Sequence, residues 1–245
     1  MRIAILSDLH ANLEAVEEFR ETYDELWVLG DLVNYGPNPH EVIDFVRRHA
    51  SIVIRGNHDN AIGCGEDPRC SPPYREMART TGEFTASVLS TADKDYLAGL
   101  PLTASREIDG TRFFLCHATP PNPLFEYAPP DFPRWPDYAE RAGADVLLAG
   151  HTHQPFIRHE RGRVIANPGS LGQPKTGNPD SCYAIWDGTK IELRSFRYDY
   201  AKTIGKLQRL NLPLKVQADL ATVLRTGGNP GQNLRSETGG KINLD

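Results

Sequence analysis

The N-terminal third of the chain alternates short apolar runs with stretches that are apolar only every third or fourth position. Residues 2–8 (RIAILSD) form a continuous apolar run that predicts a buried strand, and 12–23 (NLEAVEEFRETY) place Leu13, Val16, Phe19 and Tyr23 on one helical stripe behind Asn12 as N-cap. The cycle repeats with a strand at 25–31 (ELWVLGD) and a helix at 38–50, where Asn38 is the cap, Pro39 takes the first helical position and Glu41 suits a capping box. A third strand follows at 51–57 (SIVIRGN). Parallel strands need crossovers, so the pattern predicts a βαβαβ unit.

From 60 to about 101 the pattern turns irregular and then helical, reading as one or two helices beside the sheet with Phe84 and Leu89 on the core stripe. Five further strands are predicted at 112–118, 145–153, 163–170, 181–187 and 190–196, the last two joined by the Asp187-Gly188 hairpin signal. The proline-rich 119–136 predicts a long functional loop. Helical patterns broken near Pro213 complete one expected domain, 1–226, before a polar tail, 227–245, too poor in apolar residues to fold alone. Something else must hold that tail, which leaves a homo-oligomer open.

Charge narrows the function. A net charge of −5 with 27 scattered Lys and Arg residues leaves no footprint for a nucleic-acid duplex or an anionic membrane. No signal peptide or membrane-length apolar run is visible, so a cytoplasmic protein is expected. Cys64, Cys70, Cys116 and Cys182 lack the spacing of a structural zinc site and read as free thiols, with a local Cys64–Cys70 bridge open.

The polar residues fall where the chemistry should be. Asp8 and His10 follow the first strand, Asp31 the second, and Asn57, His58 and Asp59 the third; His117 and the pair His151 and His153 end two later strands. The crevice beyond the carboxyl ends of parallel strands is where α/β sheets bind ligands. Carboxylates, imidazoles and an amide oxygen suit Mn, Fe or Zn, and seven such donors are too many for one ion. Two ions bridged by one carboxylate would account for them, an arrangement suited to phosphoryl displacement.

The blocks SDLH, GDLVNYG, GNHD, CHA and GHTH, in that order, resemble the five signatures of the calcineurin-like metallophosphoesterases. The later NPGSLGQPKTGNPDSCYAIWD is similar to the sheet-closing segment of the small YfcE-like phosphodiesterases, and the resemblance spans residues 1 to about 200. It implies an α/β fold, a four-layer αββα sandwich of two mixed sheets flanked by helices. It further implies that Asp8, His10 and His153 hold one divalent ion, that Asn57, His117 and His151 hold a second, and that Asp31 bridges them, with Mn, Fe, Zn or Ni as candidate metals. A metal-bridging hydroxide would attack phosphorus in line, and His58 would serve as general acid. The implied activity is that of a phosphodiesterase on a small phosphoester. The alternatives are a phosphomonoesterase or phosphoprotein phosphatase, a dinucleoside polyphosphate hydrolase and, from another class, a non-catalytic metal-binding scaffold.

One block departs from the family. Many of these enzymes carry Asp-Arg where this chain has Asn34-Tyr35, the Asp orienting the catalytic histidine and the Arg contacting phosphate. Asn34 and Tyr35 are therefore candidate substrate-binding residues, and a neutral amide at 34 implies weaker acid catalysis by His58. His40, His49 and His159 read as helix-end and turn residues, and the Asn167–Ser170 stretch as a turn.

Overall fold

The structure, a computed structural model, describes residues 1–230; most of the expected polar tail, 231–245, lies outside the described residues. In chain order the elements are β1 (Ile3–Leu6), α1 (Leu13–Glu18), β2 (Glu25–Val28), α2 (Pro39–His49), β3 (Ile52–Val53), α3 (Asn57–Cys64), α4 (Pro72–Val88), α5 (Thr91–Gly99) and β4 (Thr103–Ile108). They continue with β5 (Thr111–Cys116), α6 (Trp135–Arg141), β6 (Val146–Leu148), β7 (Phe156–Glu160), β8 (Arg163–Asn167), β9 (Ser181–Trp186), β10 (Ile191–Phe196), α7 (Tyr200–Leu207) and α8 (Leu214–Thr226).

The strands form two five-stranded mixed sheets, β10-β9-β1-β2-β3 and β4-β5-β6-β8-β7. Strands β1, β2 and β3 run parallel, as the βαβαβ pattern requires, and β9 and β10 close that sheet as an antiparallel hairpin. In the second sheet β5, β6 and β8 are parallel. Period-two alternation splits each apolar run between two cores. Ile3, Ile5, Trp27 and Leu29 face Phe113, Leu115, Val146 and Leu148 across the gap between the sheets. There Phe113 meets the rings of Trp27 and Trp186 edge-on at 5.2 and 5.1 Å. The opposite positions, Ala4, Leu6, Leu26 and Val28, pack on Val16 of α1 and on Val42, Ile43 and Val46 of α2. Trp135 and Ala139 of α6 cover Leu147 and Ile165 on the outer face of the second sheet. The layers are therefore helix, sheet, sheet, helix.

Local differences from the sequence pattern have physical causes. Helix α1 stops at Glu18, where Phe19 turns extended and meets the Tyr183 ring edge-on, with centroids 5.1 Å apart. Asn38 precedes α2, but its amide donates to the Glu41 carboxylate at 2.9 Å and caps no backbone group, so the box does not form. Strands β4 and β7 have little apolar periodicity because they are sheet edges, and His159 lies on β7, not in a turn. Helix α3 starts inside the GNHD block, and all four cysteines are free, so no Cys64–Cys70 bridge exists. No helix among the described residues is long and apolar enough to cross a membrane.

Candidate metal centre and active site

The loops leaving β1 and β2 are interlocked by backbone bonds: Asp8 N–H donates to the Gly30 carbonyl, His10 N–H to that of Asp31 and Ala11 N–H to that of Leu32, at 2.8–3.0 Å. Asp8, His10, Asp31, His151 and His153 all carry positive φ, between 46° and 65°. Left-handed backbone at non-glycine residues persists only where surroundings over-determine it, and hydrogen bonds to neighbouring loops hold these residues. Gly30, at φ 90°, lies against the backbone of Gly56, where a Cβ would collide; its lack of a side chain lets the Asp31 loop meet the start of α3.

Asp59 is the hidden organiser of this meeting. Its carboxylate accepts from the N–H groups of Gly56, Asp31 and Leu32 at 2.8–2.9 Å, tying the second and third signature loops together. Burial, with Asp31 nearby, raises its pKa to about 6. Sequence reading placed Asp59 after the third strand without assigning this work, and its signal was the final position of GNHD.

Two donor clusters result, Asp8–His10–His153 and Asp31–His117–His151, each with its ligand atoms within 4.8 Å of one another. Asn57 joins the second cluster: its Oδ1 lies 3.0 Å from His117 Nε2 and 3.1 Å from His151 Nδ1. Asp31 stands between them, its Oδ2 3.3 Å from His117 Nε2 and 3.8 Å from His10 Nε2, while its Oδ1 accepts from His58 N–H at 2.9 Å.

The donors fit divalent cations. Asp8 Oδ2 takes hydrogen bonds from Ser7 and the His151 N–H, yet Oδ1 is buried with no hydrogen-bond partner and faces His153 Nε2 at 3.3 Å. His10 Nδ1 donates to the Val33 carbonyl at 3.0 Å and His153 Nδ1 to that of Gln173 at 2.5 Å, which leaves both Nε2 lone pairs pointing at each other across 3.2 Å. Facing lone pairs repel unless a cation lies between them, and a carbonyl on the far nitrogen is how metal-binding histidines are oriented. His117 follows the same rule, with Nδ1 donating to Leu29 O at 2.8 Å. Burial by itself would depress His117, but Asp31 and Asp8 raise it to about 9, whereas burial and His117 together push His151 down to about 3. The carboxylates thus demand positive charge that the surrounding histidines only partly supply. The nitrogen and oxygen donor set, without thiolate, suits Mn, Fe, Zn or Ni and leaves the choice among them open.

His58 borders this centre. Its Nδ1 is 2.8 Å from Asn34 Nδ2, and its Nε2 is 3.4 Å from the Cys70 thiol. Burial lowers its pKa, but Cys70 and Asp31 outweigh that and the net shift is upward. The structure places Asn34 behind His58, away from the cavity, while Tyr35 lines the cavity and brings its hydroxyl to 3.5 Å from Cys70 Sγ.

That cavity, about 180 Å³, opens over the two clusters. Its upper wall comes from residues to which the sequence assigned no role. Lys175 lies with Nζ 3.3 Å from His153 Nε2 and 4.3 Å from the centre of the Tyr74 ring, and the Arg69 guanidinium sits 4.1 Å over Phe125. Tyr127 forms the rim. From the sequence, loops 60–76 and 119–136 are expected to shape the pocket, but nothing in their periodicity signals which of their residues form the wall.

Comparison with known proteins gives the family. A calcineurin-like phosphoesterase superfamily domain is recognised over residues 1–190. An uncharacterized protein of Methanocaldococcus jannaschii is 31% identical over 234 residues, covering 86% of this chain and 93% of that one. Phosphodiesterase YfcE of Escherichia coli is 26% identical over 79% of this chain and 91% of its own length. The crystal structure of a metallophosphoesterase from Sphaerobacter thermophilus superposes with a TM-score of 0.76 at 30% identity, covering 93% of this chain and 99% of that one.

Proposed function

This chain belongs to the calcineurin-like phosphoesterase superfamily and is a phosphoester hydrolase, and we propose that it is a phosphodiesterase with a dinuclear metal centre. The observation that carries the proposal is Asp31 Oδ2, which faces both donor clusters from one atom. Asp8, His10 and His153 would hold one ion, and Asn57, His117 and His151 the other, with Asp31 shared. When bound, such ions acidify water toward neutral pH and offset the charge on a phosphoryl group.

The remaining work falls to the chain's own residues. Asn34 can donate through Nδ2 to His58 Nδ1, which places the neutral ring's proton on Nε2, the nitrogen beside Cys70 at the cavity wall. His58 then offers that proton to the departing oxygen. Because an amide cannot stabilise imidazolium as a carboxylate does, the proton is offered weakly, and a leaving group that needs little protonation is favoured. Lys175 adds a cation beside His153 in the wall of the cavity.

We also read 1–226 as one domain. Helix α8 packs through Val216 and Leu220 in the same cluster as Tyr35, and Thr203 of α7 donates to Asn12 Oδ1 at 3.0 Å, so the C-terminal helices brace the site. A cytoplasmic setting and a small-molecule substrate rather than nucleic acid complete the reading, supported by four free cysteines and the scattered positive charge.

The test is metal analysis of the purified protein together with hydrolysis of bis(p-nitrophenyl) phosphate in Mn²⁺. Two ions per chain and turnover are expected. A protein that binds fewer than two ions, or stays inert on every activated diester, would be a scaffold instead.

A further inference from the structure

Asn34 has one end of its amide at His58 and the other unused. Its Nδ2 lies on His58 Nδ1, while its Oδ1 is buried without a hydrogen-bond partner, in a residue only 1% exposed. A buried acceptor left unpaired is costly, so this oxygen calls for a donor. Asn34 also lines a second cavity, of about 280 Å³, that shares no lining residue with the one over the donor clusters. Its walls are Ala61 and Ile62 of α3 and Ala78, Gly82 and Ala86 of α4, the last three on one helical stripe. Tyr35 N–H donates to Thr81 Oγ1 at 3.1 Å, which ties α4 to the loop that carries Asn34.

Gly82 keeps this cavity open at Asn34. It lies inside α4 without positive φ, so no left-handed turn requires a glycine, and a glycine within a helix is destabilising relative to alanine. Packing does not exclude a side chain either. A Cβ at 82 would sit 3.6 Å from Asn34 Nδ2, 3.9 Å from its Oδ1 and 4.0 Å from Ile62 Cδ1, all ordinary contact distances. What a larger side chain would remove is the approach to Asn34.

We propose that the cavity between α3 and α4 is a second binding site, for a small uncharged molecule with an apolar body and one hydrogen-bond donor, and that its occupant is felt at His58 through Asn34. The lining sets that chemistry. Arg79 and Glu83 are paired with each other at 2.6 Å, and Glu66 takes the Asn60 amide at 3.0 Å, so the charged members are already engaged. Among the lining residues only Asn34 carries a buried side-chain polar atom without a partner. Apolar walls with a single convergent acceptor select a body by shape and a donor by hydrogen bonding. The same amide that would accept from the occupant touches His58 at 2.8 Å, so a shift of Asn34 reaches the active site through one contact.

The experiment titrates the full chain, loaded with Zn²⁺, with phenol and with toluene, which has the same ring and no donor, and follows the NMR signals of the Asn34 side-chain amide, the Gly82 N–H and the His58 ring. Phenol should shift all three with one Kd of about 1 mM, the scale for a ligand of that size, and toluene should bind at least about tenfold more weakly. Gly82→Leu, which fills the cavity, should raise the phenol Kd more than about tenfold, and Gly82→Ala about threefold. The alanine variant and the toluene comparison carry the test if the leucine variant does not fold. No saturable shift at Asn34, toluene binding as well as phenol, or an unchanged Kd in the folded Gly82 variants overturns the site. Shifts at Asn34 and Gly82 with none at His58 overturn the coupling. Binding is read without turnover, so these outcomes do not depend on the metallophosphoesterase reading.

Discussion

The floor of the cavity and its rim are built on opposite principles. The floor residues Asp8, His10, Asp31, Asn57 and His117 are at most 2% exposed, and several are forced into left-handed backbone by neighbouring loops. The rim residues Arg69, Phe125 and Tyr127 sit on loops, where Arg69 and Phe125 share a cation–aromatic contact and Tyr127 is 57% exposed. A buried, cross-linked floor fixes donors to within the tolerance that metal chemistry needs, whereas an accessible rim can vary with substrate without unfolding the sheet ends. The contrast teaches that reaction class and substrate choice are written in different parts of this molecule.

The hardest blow to the floor is Asp31→Asn. If Asp31 is shared, activity on an aryl diester should drop by more than about a thousandfold and bound metal should fall below two ions per chain, as read by elemental analysis. Retention of both ions with less than tenfold loss would refute the sharing. Chelation tests the same floor through stability. Bound ions present at a thousandfold above their Kd contribute about 4 kcal/mol, so their removal should lower the melting temperature by roughly 10 °C in a scanning experiment. An unchanged transition would mean that the donor clusters close upon themselves without a cation.

Asn34→Asp probes the boundary between floor and rim. A carboxylate behind His58 should speed hydrolysis of an alkyl diester about tenfold and leave an aryl diester within about twofold. Equal effects on both substrates would show that proton donation is not what Asn34 limits. The smallest effect is expected at the rim. Tyr127→Ala should raise KM for an aryl diester about threefold while kcat and melting temperature hold, since an exposed ring contributes stacking and little else. A stability loss there would make the rim part of the scaffold after all.

How much of this was legible follows from how each residue is tied to the chain's periodicity. The donors were readable because each one ends an apolar run: Asp8 after IAIL, Asp31 after LWVL, and His151 and His153 after VLLAG. The αββα layering was implied by the family likeness, and the order of strands and helices was compatible with it. Strand β4 was missed because an edge strand with one covered face has no apolar rhythm to betray it, and α3 because it begins within a loop signature. Asp59 was seen but not understood, since two of its three backbone bonds reach residues that lie 27 and 28 positions away.

The sequence by itself therefore determined which side chains can carry the chemistry, because alternation of strand and crossover dictates that residues at consecutive strand ends converge. Only the tertiary structure decided their partners. That His10 and His153 face each other across 3.2 Å, that Asn34 stands behind His58 rather than in the cavity, and that Arg69 lies on Phe125, 56 residues along the chain, are consequences of loops meeting in space. Loop contacts of this kind have no period, so no local pattern of apolar and polar positions encodes them.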